Sequence, residues 1–173
     1  MTISEQQEQR KLQPYAEALR YMSNAEETLQ KAGKENNRYL DPKYVSSACG
    51  IAYKGVLKAL DAWLAIKGVS ISAKRNKAKP HRSIDMYRRD VSRLDGKMLD
   101  NLNTVYNILH LAGYYDEEQK ADIIRSGFED AYEIIARIKP AVQEEELQAY
   151  LTAYQKQKTS FWKRMYMMLW SVI

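Results

Sequence analysis

The sequence predicts an all-α fold, an up-and-down bundle of about five helices with a C-terminal helical extension. Three observations predict it. Apolar residues recur at steps of three and four along most of the chain, which is the spacing of one helix face. The only strand-like stretch, VSIS at residues 69–72, is too short to build a sheet on. With 7 Gly and 4 Pro in 173 residues, little raw material remains for the many turns of an all-β fold.

The element around which the rest is arranged is DPKYVSSACGIAYKGVLKALDAWLAIKG, residues 41–68. Asp41 is placed as an N-cap and Pro42 as the first helical residue, with Leu40 and Val45 spaced for a hydrophobic staple. Val45, Cys49, Ala52, Val56, Leu60 and Trp63 share one face, while Ser47, Gly50, Lys54, Lys58 and Asp61 form the opposite stripe. Gly68 is placed to end the helix. The many small residues let neighbouring helices come close, so this segment is expected at the centre of the bundle.

The remaining helices follow in order. Pro14 suits a first helical position, and Tyr15, Leu19, Met22, Ala25, Leu29 and Ala32 then mark a helix over 14–32 that ends at Gly33. A polar connection leads from it into the central helix, 42–67, so these two should form an antiparallel hairpin. Ser83 caps a short helix over 83–94 that carries Ile84, Tyr87, Val91 and Leu94. After the turn Leu94-Asp95-Gly96, a fourth helix over 97–113 carries Met98, Leu102, Val105, Leu109 and Ala112. Asp116-Glu117-Glu118-Gln119 resembles a capping box and opens a fifth helix over 117–139, with Ala121, Ile124, Phe128, Ala131, Ile135 and Ile138 on its apolar face. The expected core is Leu19, Met22, Ala52, Val56, Leu60, Leu102, Val105, Leu109, Ile124, Phe128 and Ile135.

Beyond Pro140 the composition changes, so residues 1–140 are expected to form the bundle and 141–173 an extension. That extension opens with Glu144-Glu145-Glu146, carries Leu147, Leu151 and Tyr154, and ends in FWKRMYMMLWSVI. Phe161, Trp162, Met165, Tyr166, Met168, Leu169 and Trp170 are hard to leave exposed together, which makes this tail the candidate interface. Three coverings suit it: its own bundle, a second chain in a homodimer, or a membrane surface with Lys163 and Arg164 at the headgroups.

Composition narrows the chemistry. Hydrophobic residues make up 45% and charged residues 28%, the balance of a globular protein. Thirteen Tyr and 3 Trp against 2 Phe favour half-wet aromatic surfaces. Polar residues open the chain, and no run approaches the ~18 apolar residues of a spanning helix, so a cytoplasmic protein without a membrane span is expected. A single cysteine and two distant histidines offer no metal-ligand pattern, and nothing calls for a cofactor. Cys49 lies on an apolar face without a partner to lower its pKa, so a core thiol is expected rather than a nucleophile.

Charge is distributed unevenly. Between Lys74 and Arg93 eight basic residues face two acidic ones. Lys74, Arg75, Lys77, Lys79, His81 and Arg82 form a candidate phosphate site for a nucleotide or a nucleic-acid backbone, with a merely solvated loop as the alternative. His110 follows Tyr106 by one helical turn and precedes Gly113-Tyr114-Tyr115. At the edge of an apolar face it is either a packing residue or, given a partner, a proton-transfer group.

Three pieces in order carry a resemblance to the HEPN superfamily of helical bundles. They are YVSSACGIAYKGVLKALDAWLAIKG, the basic connection KAKPHRSI, and NTVYNILHLAGYYD, together spanning about residues 15–138. The resemblance implies a four- or five-helix bundle, frequently dimeric. Some such domains are ribonucleases of toxin–antitoxin systems, whereas others partner nucleotidyltransferases or bind nucleotides. The nuclease branch places an arginine a few residues from the late-helix histidine, and here no arginine precedes His110 within such reach. The expectation is therefore a HEPN-like, non-catalytic binding module that contacts nucleotide or RNA phosphates or partners a nucleotidyltransferase-like protein. A metal-independent ribonuclease, with His110 served by Arg88 or Arg89, is the first alternative; a purely structural dimer is the second.

Overall fold

The computed structural model describes residues 3–69, 82–139, 145, 147–153 and 156. Among them the chain builds α1 (Ile3–Gln30), a two-strand hairpin β1 (Lys34–Glu35) and β2 (Arg38–Tyr39), and α2 (Pro42–Ile66). α3 (Ile84–Ser92), α4 (Gly96–Val105), a π-helix π1 (Tyr106–Tyr115) and α5 (Ala121–Arg137) follow. The all-α expectation holds, with the hairpin as its one small addition.

α2 is the centre of the bundle, packing on α1, π1, α3 and α5. Its limits match the local signals. The Asp41 carboxylate accepts from the Lys43 N–H at 3.0 Å, and Pro42 begins the helix. At the other end Gly68, with φ +77°, donates to the Ala65 carbonyl while Val69 donates to Leu64, the paired bonds of a Schellman ending. The face from Val45 through Cys49, Ala52, Val56 and Leu60 is buried. The staple is not closed as expected: Leu40 remains 60% exposed and lies against Gly33 instead.

α1 runs antiparallel to α2. The chain reverses between Gln30 and Pro42, and the middle of α1, at Ala18 and Tyr21, meets Gly55. α1 begins well before Pro14, which sits inside the helix rather than at its first position. Leu12, two residues ahead of the proline, is in the core, so the packed face extends past the backbone break. The connection to α2 is ordered. Asn36 and Asn37 take φ +46° and +62°, the left-handed pair of a tight hairpin turn. The Tyr39 N–H donates to the Gln119 carbonyl at 2.8 Å and the Ala121 N–H to Asn37 at 2.9 Å, so the hairpin also fastens the start of α5.

Ser83 caps α3 and Asp95 caps α4, each accepting from a backbone N–H three residues on. Two boundaries differ from the periodicity. The fourth helix is α-helical only to Val105 and then widens into π1. The fifth starts at Ala121, because Glu117 takes φ +53° and interrupts the expected capping box. Glu118 accepts at 2.8 Å from the N–H groups of Gln119 and Lys120, which fixes the approach to α5, and no side chain of the N-cap Lys120 caps the helix.

Of the expected core, Met22, Ala52, Val56, Leu60, Leu102, Val105, Leu109, Ile124, Phe128 and Ile135 are buried, and Leu19 packs against them half-buried. Residues 147–153 are helical, with Leu147 in the core and Leu151 packed on it. Among the described residues no helix is long and apolar enough to cross a membrane, and no group of ligand-type side chains could hold a metal ion.

Candidate functional site

π1 gathers an aromatic cluster on α2. Its bonds run from residue i to i+5, as in the Asp116 N–H donating to Leu111 at 3.0 Å. Side chains four and five apart therefore both fall near one another. His110 accordingly meets Tyr106, Tyr114 and Tyr115 on its own element, with ring centroids at 5.2, 6.1 and 5.1 Å. Across from it, Tyr53 of α2 stacks on the imidazole at 4.5 Å with the planes 21° apart. Short π-helical segments are rare and concentrate at functional sites.

Small residues let π1 approach. A Cβ on Gly113 would lie 2.5 Å from Cys49 Sγ, and one on Gly50 would lie 3.0 Å from the Tyr114 ring. Ser46 on α2 donates its hydroxyl to the Tyr114 carbonyl at 2.9 Å. Between the two elements lies a groove of about 470 Å³. Tyr21 of α1 borders it, α2 lines it with Ser47, Gly50, Ile51, Tyr53 and Lys54, and π1 adds His110 and Tyr114. No lining residue is acidic, and among the described residues Lys54 has no carboxylate partner. One turn further along α2, Lys58 Nζ lies 5.6 Å from the Tyr21 ring centroid.

Burial lowers the His110 pKa below its ordinary value, which favours the neutral ring. Burial, reinforced by Tyr106, pushes the Tyr53 phenol up to about 12 and keeps it a hydrogen-bond donor. Cys49 is pushed to about 12 by burial alone, which makes its thiol inert. The cluster can thus stack a flat ring and supply neutral hydrogen bonds. Among the described residues, no hydrogen bond joins His110 to a carboxylate or a guanidinium.

The two arginines considered for His110 are engaged elsewhere. Arg88 donates to Asn103 at 2.8 Å and lies 4.8 Å over the Tyr106 ring, one aromatic side chain away from the imidazole. Arg89 pairs with Asp90 at 3.0 Å. Arg82, grouped by sequence with the basic loop, is 4% exposed. Its guanidinium binds Asp61 at 3.0 Å and the Val69 carbonyl at 2.8 Å, and its Nε faces Asp90 at 3.5 Å without a hydrogen bond. Lys74, Arg75, Lys77, Lys79 and His81 lie outside the described residues, as do Phe161, Trp162, Met165, Tyr166, Met168, Leu169 and Trp170.

His110 was found from sequence because it marks an apolar helix. Ser47, Gly50 and Lys54 were visible only as a polar stripe, and Tyr21 and Tyr53 carried no separate signal. The thirteen tyrosines pointed to a half-wet aromatic surface but not to its place.

The fold and groove define a class: an all-α bundle with an aromatic cleft between its central helix and a π-helix. A family model described as a domain of unknown function (DUF5618) matches residues 13–140, and the chain belongs to this family. Among solved structures it is similar to a protein of unknown function from Dyadobacter fermentans, at 35% identity and a TM-score of 0.62. That match covers 73% of this chain and 94% of the other. No curated protein matches.

Proposed function

We propose that the protein is a non-catalytic binding module of the HEPN kind, one that engages nucleotide or RNA phosphates or partners a nucleotidyltransferase-like protein. The observation that carries this reading is the setting of His110. Cleaving a phosphodiester requires a proton-transfer group and a nearby cation to stabilise developing negative charge. The His110 ring is flanked by four tyrosines, its pKa is lowered, and of the two arginines considered for it Arg88 is held by Asn103 beyond Tyr106 and Arg89 by Asp90. These features support recognition over cleavage.

Incubation of the purified full-length chain with single-stranded RNA tests this. The RNA is expected to stay intact, with no difference between wild type and His110→Ala. Cleavage that disappears in His110→Ala would overturn the proposal and establish the metal-independent ribonuclease in its place.

A further inference from the structure

We propose that the groove between α2 and π1 binds a nucleobase with its phosphate, the ring stacked at Tyr114 and His110 and the phosphate held by Lys54 and Lys58. None of these four residues belongs to the basic loop, and the inference rests on the binding-module reading. The groove's volume of about 470 Å³ falls within the ~300–1,000 Å³ of small-molecule clefts. His110 and Tyr114 lie with their planes 5° apart, offering nearly parallel faces. Tyr114 is 45% exposed, so ring surface is available to a ligand. Stacking on such rings tolerates any base, because every base has a π-face.

Charge fits the second half of the ligand. Lys54 is in the lining, no acid accompanies it, and Lys58 lies one turn beyond on the same stripe. Tyr114 sits against Gly50. From Gly50, Lys54 and Lys58 are displaced by about 6 and 12 Å along the helix axis, at ~1.5 Å per residue. A base resting at the Gly50 level therefore carries its phosphate toward two ammonium groups. The exposed Ser47 lies about one turn to the other side, where its hydroxyl can meet a polar edge of the base. A free mononucleotide and a nucleotide within single-stranded RNA present the same chemistry.

Calorimetric titration of the full-length chain with AMP, adenosine and a five-residue adenosine RNA tests the assignment. AMP is expected to bind, and adenosine about tenfold more weakly, since a charge-assisted phosphate contact is lost. Replacing Lys54 and Lys58 together by Ala should bring AMP down to the level of adenosine without affecting adenosine. Ser47→Trp, at an exposed position, should fill the groove and remove both, with circular dichroism confirming an intact fold. RNA binding at least ~tenfold tighter than AMP identifies a strand as the source, and equal or weaker RNA binding identifies the free nucleotide. Absence of binding by all three at millimolar concentration would overturn the groove assignment while leaving the non-catalytic reading in place. So would binding that survives both variants but is lost when Lys74, Arg75, Lys77 and Lys79 are replaced by Ala. Equal affinity for AMP and adenosine would overturn the phosphate role of the lysines. RNA cleavage, in contrast, would strike at the module reading and not at the groove.

Discussion

Lys54 and Asp61 lie two turns apart on α2 and meet opposite surroundings. Around Asp61 charge is closed on itself. Arg82 folds in from the start of α3, takes Asp61 and the Val69 carbonyl, and faces Asp90, while its cation lies 5.8 Å over the Tyr87 ring. Around Lys54 charge is left open, beside tyrosine rings and without an acid. A buried charge whose partners are all internal has no free valence for a ligand, so the first region fastens α3 to the end of α2. An unpartnered cation next to stackable rings costs little in water and is available for recognition. Basic residues thus divide by their surroundings, which a count of charges does not show.

The largest expected effect breaks the closed region. Arg82→Ala removes the buried cation of this cluster and takes the donor from Asp61 and the Val69 carbonyl, while Asp90 keeps Arg89. Such losses cost about 3–5 kcal/mol, and here the lower end is expected because the Asp61 side chain keeps 47% of its exposure. Lys54→Ala, by contrast, should stay within ~0.5 kcal/mol. Urea denaturation of the two variants checks this directly. Equal losses would mean that the two regions do not differ as described.

An intermediate effect tests how π1 is seated to form the groove. Gly113→Ala places a methyl group 2.5 Å from Cys49 Sγ and 3.0 Å from its Cβ. Overpacking of this kind costs about 1–3 kcal/mol. Cys49→Ala in the same chain removes the sulfur but not the Cβ, so part of the loss should return. Thermal denaturation of the two single variants and the double variant measures the coupling. Strictly additive losses would show that the sulfur is not what limits the approach of π1.

Much of the fold was legible because its causes are local. Asp41-Pro42 and Gly68 end α2 through bonds within a few residues of themselves, and those ends were placed to within one residue. Apolar periodicity similarly found ten of eleven core positions buried, with Leu19 half-buried. What failed was set by distant contacts or by geometry that periodicity does not encode. Steps of four between Tyr106, His110 and Tyr114 suit an α-helix as well as a π-helix, so π1 was read as a continuation of α4. Two-residue strands are too short to alternate, although Asn36-Asn37 was a cue to the turn between them. The groove joins residues about sixty positions apart, Tyr53 with His110 among them. Arg82 looked like one more member of a basic run, since its partners Asp61 and Asp90 are identified only by folding.

The smallest expected effect concerns proton uptake in the open region. Burial holds the His110 pKa below its ordinary value, whereas the unfolded chain takes up the same proton near pH ~6.5. Between those two values the unfolded state binds more protons, so stability rises with pH there. The contribution is fully present above the unfolded pKa and is lost as pH falls through it toward the lowered folded value. His110→Phe keeps a ring among the tyrosines and removes the titration. His81 and every carboxylate are common to both chains, so they cancel in the comparison. The melting temperature of wild type should therefore fall more than that of His110→Phe between pH 7 and pH 5, with the gap widening toward acid. An imidazole titration followed by NMR should place the folded midpoint below that of a histidine in water. Parallel melting curves would mean that the imidazole is already solvated, and that the tyrosines around it do not form a dry stacking surface.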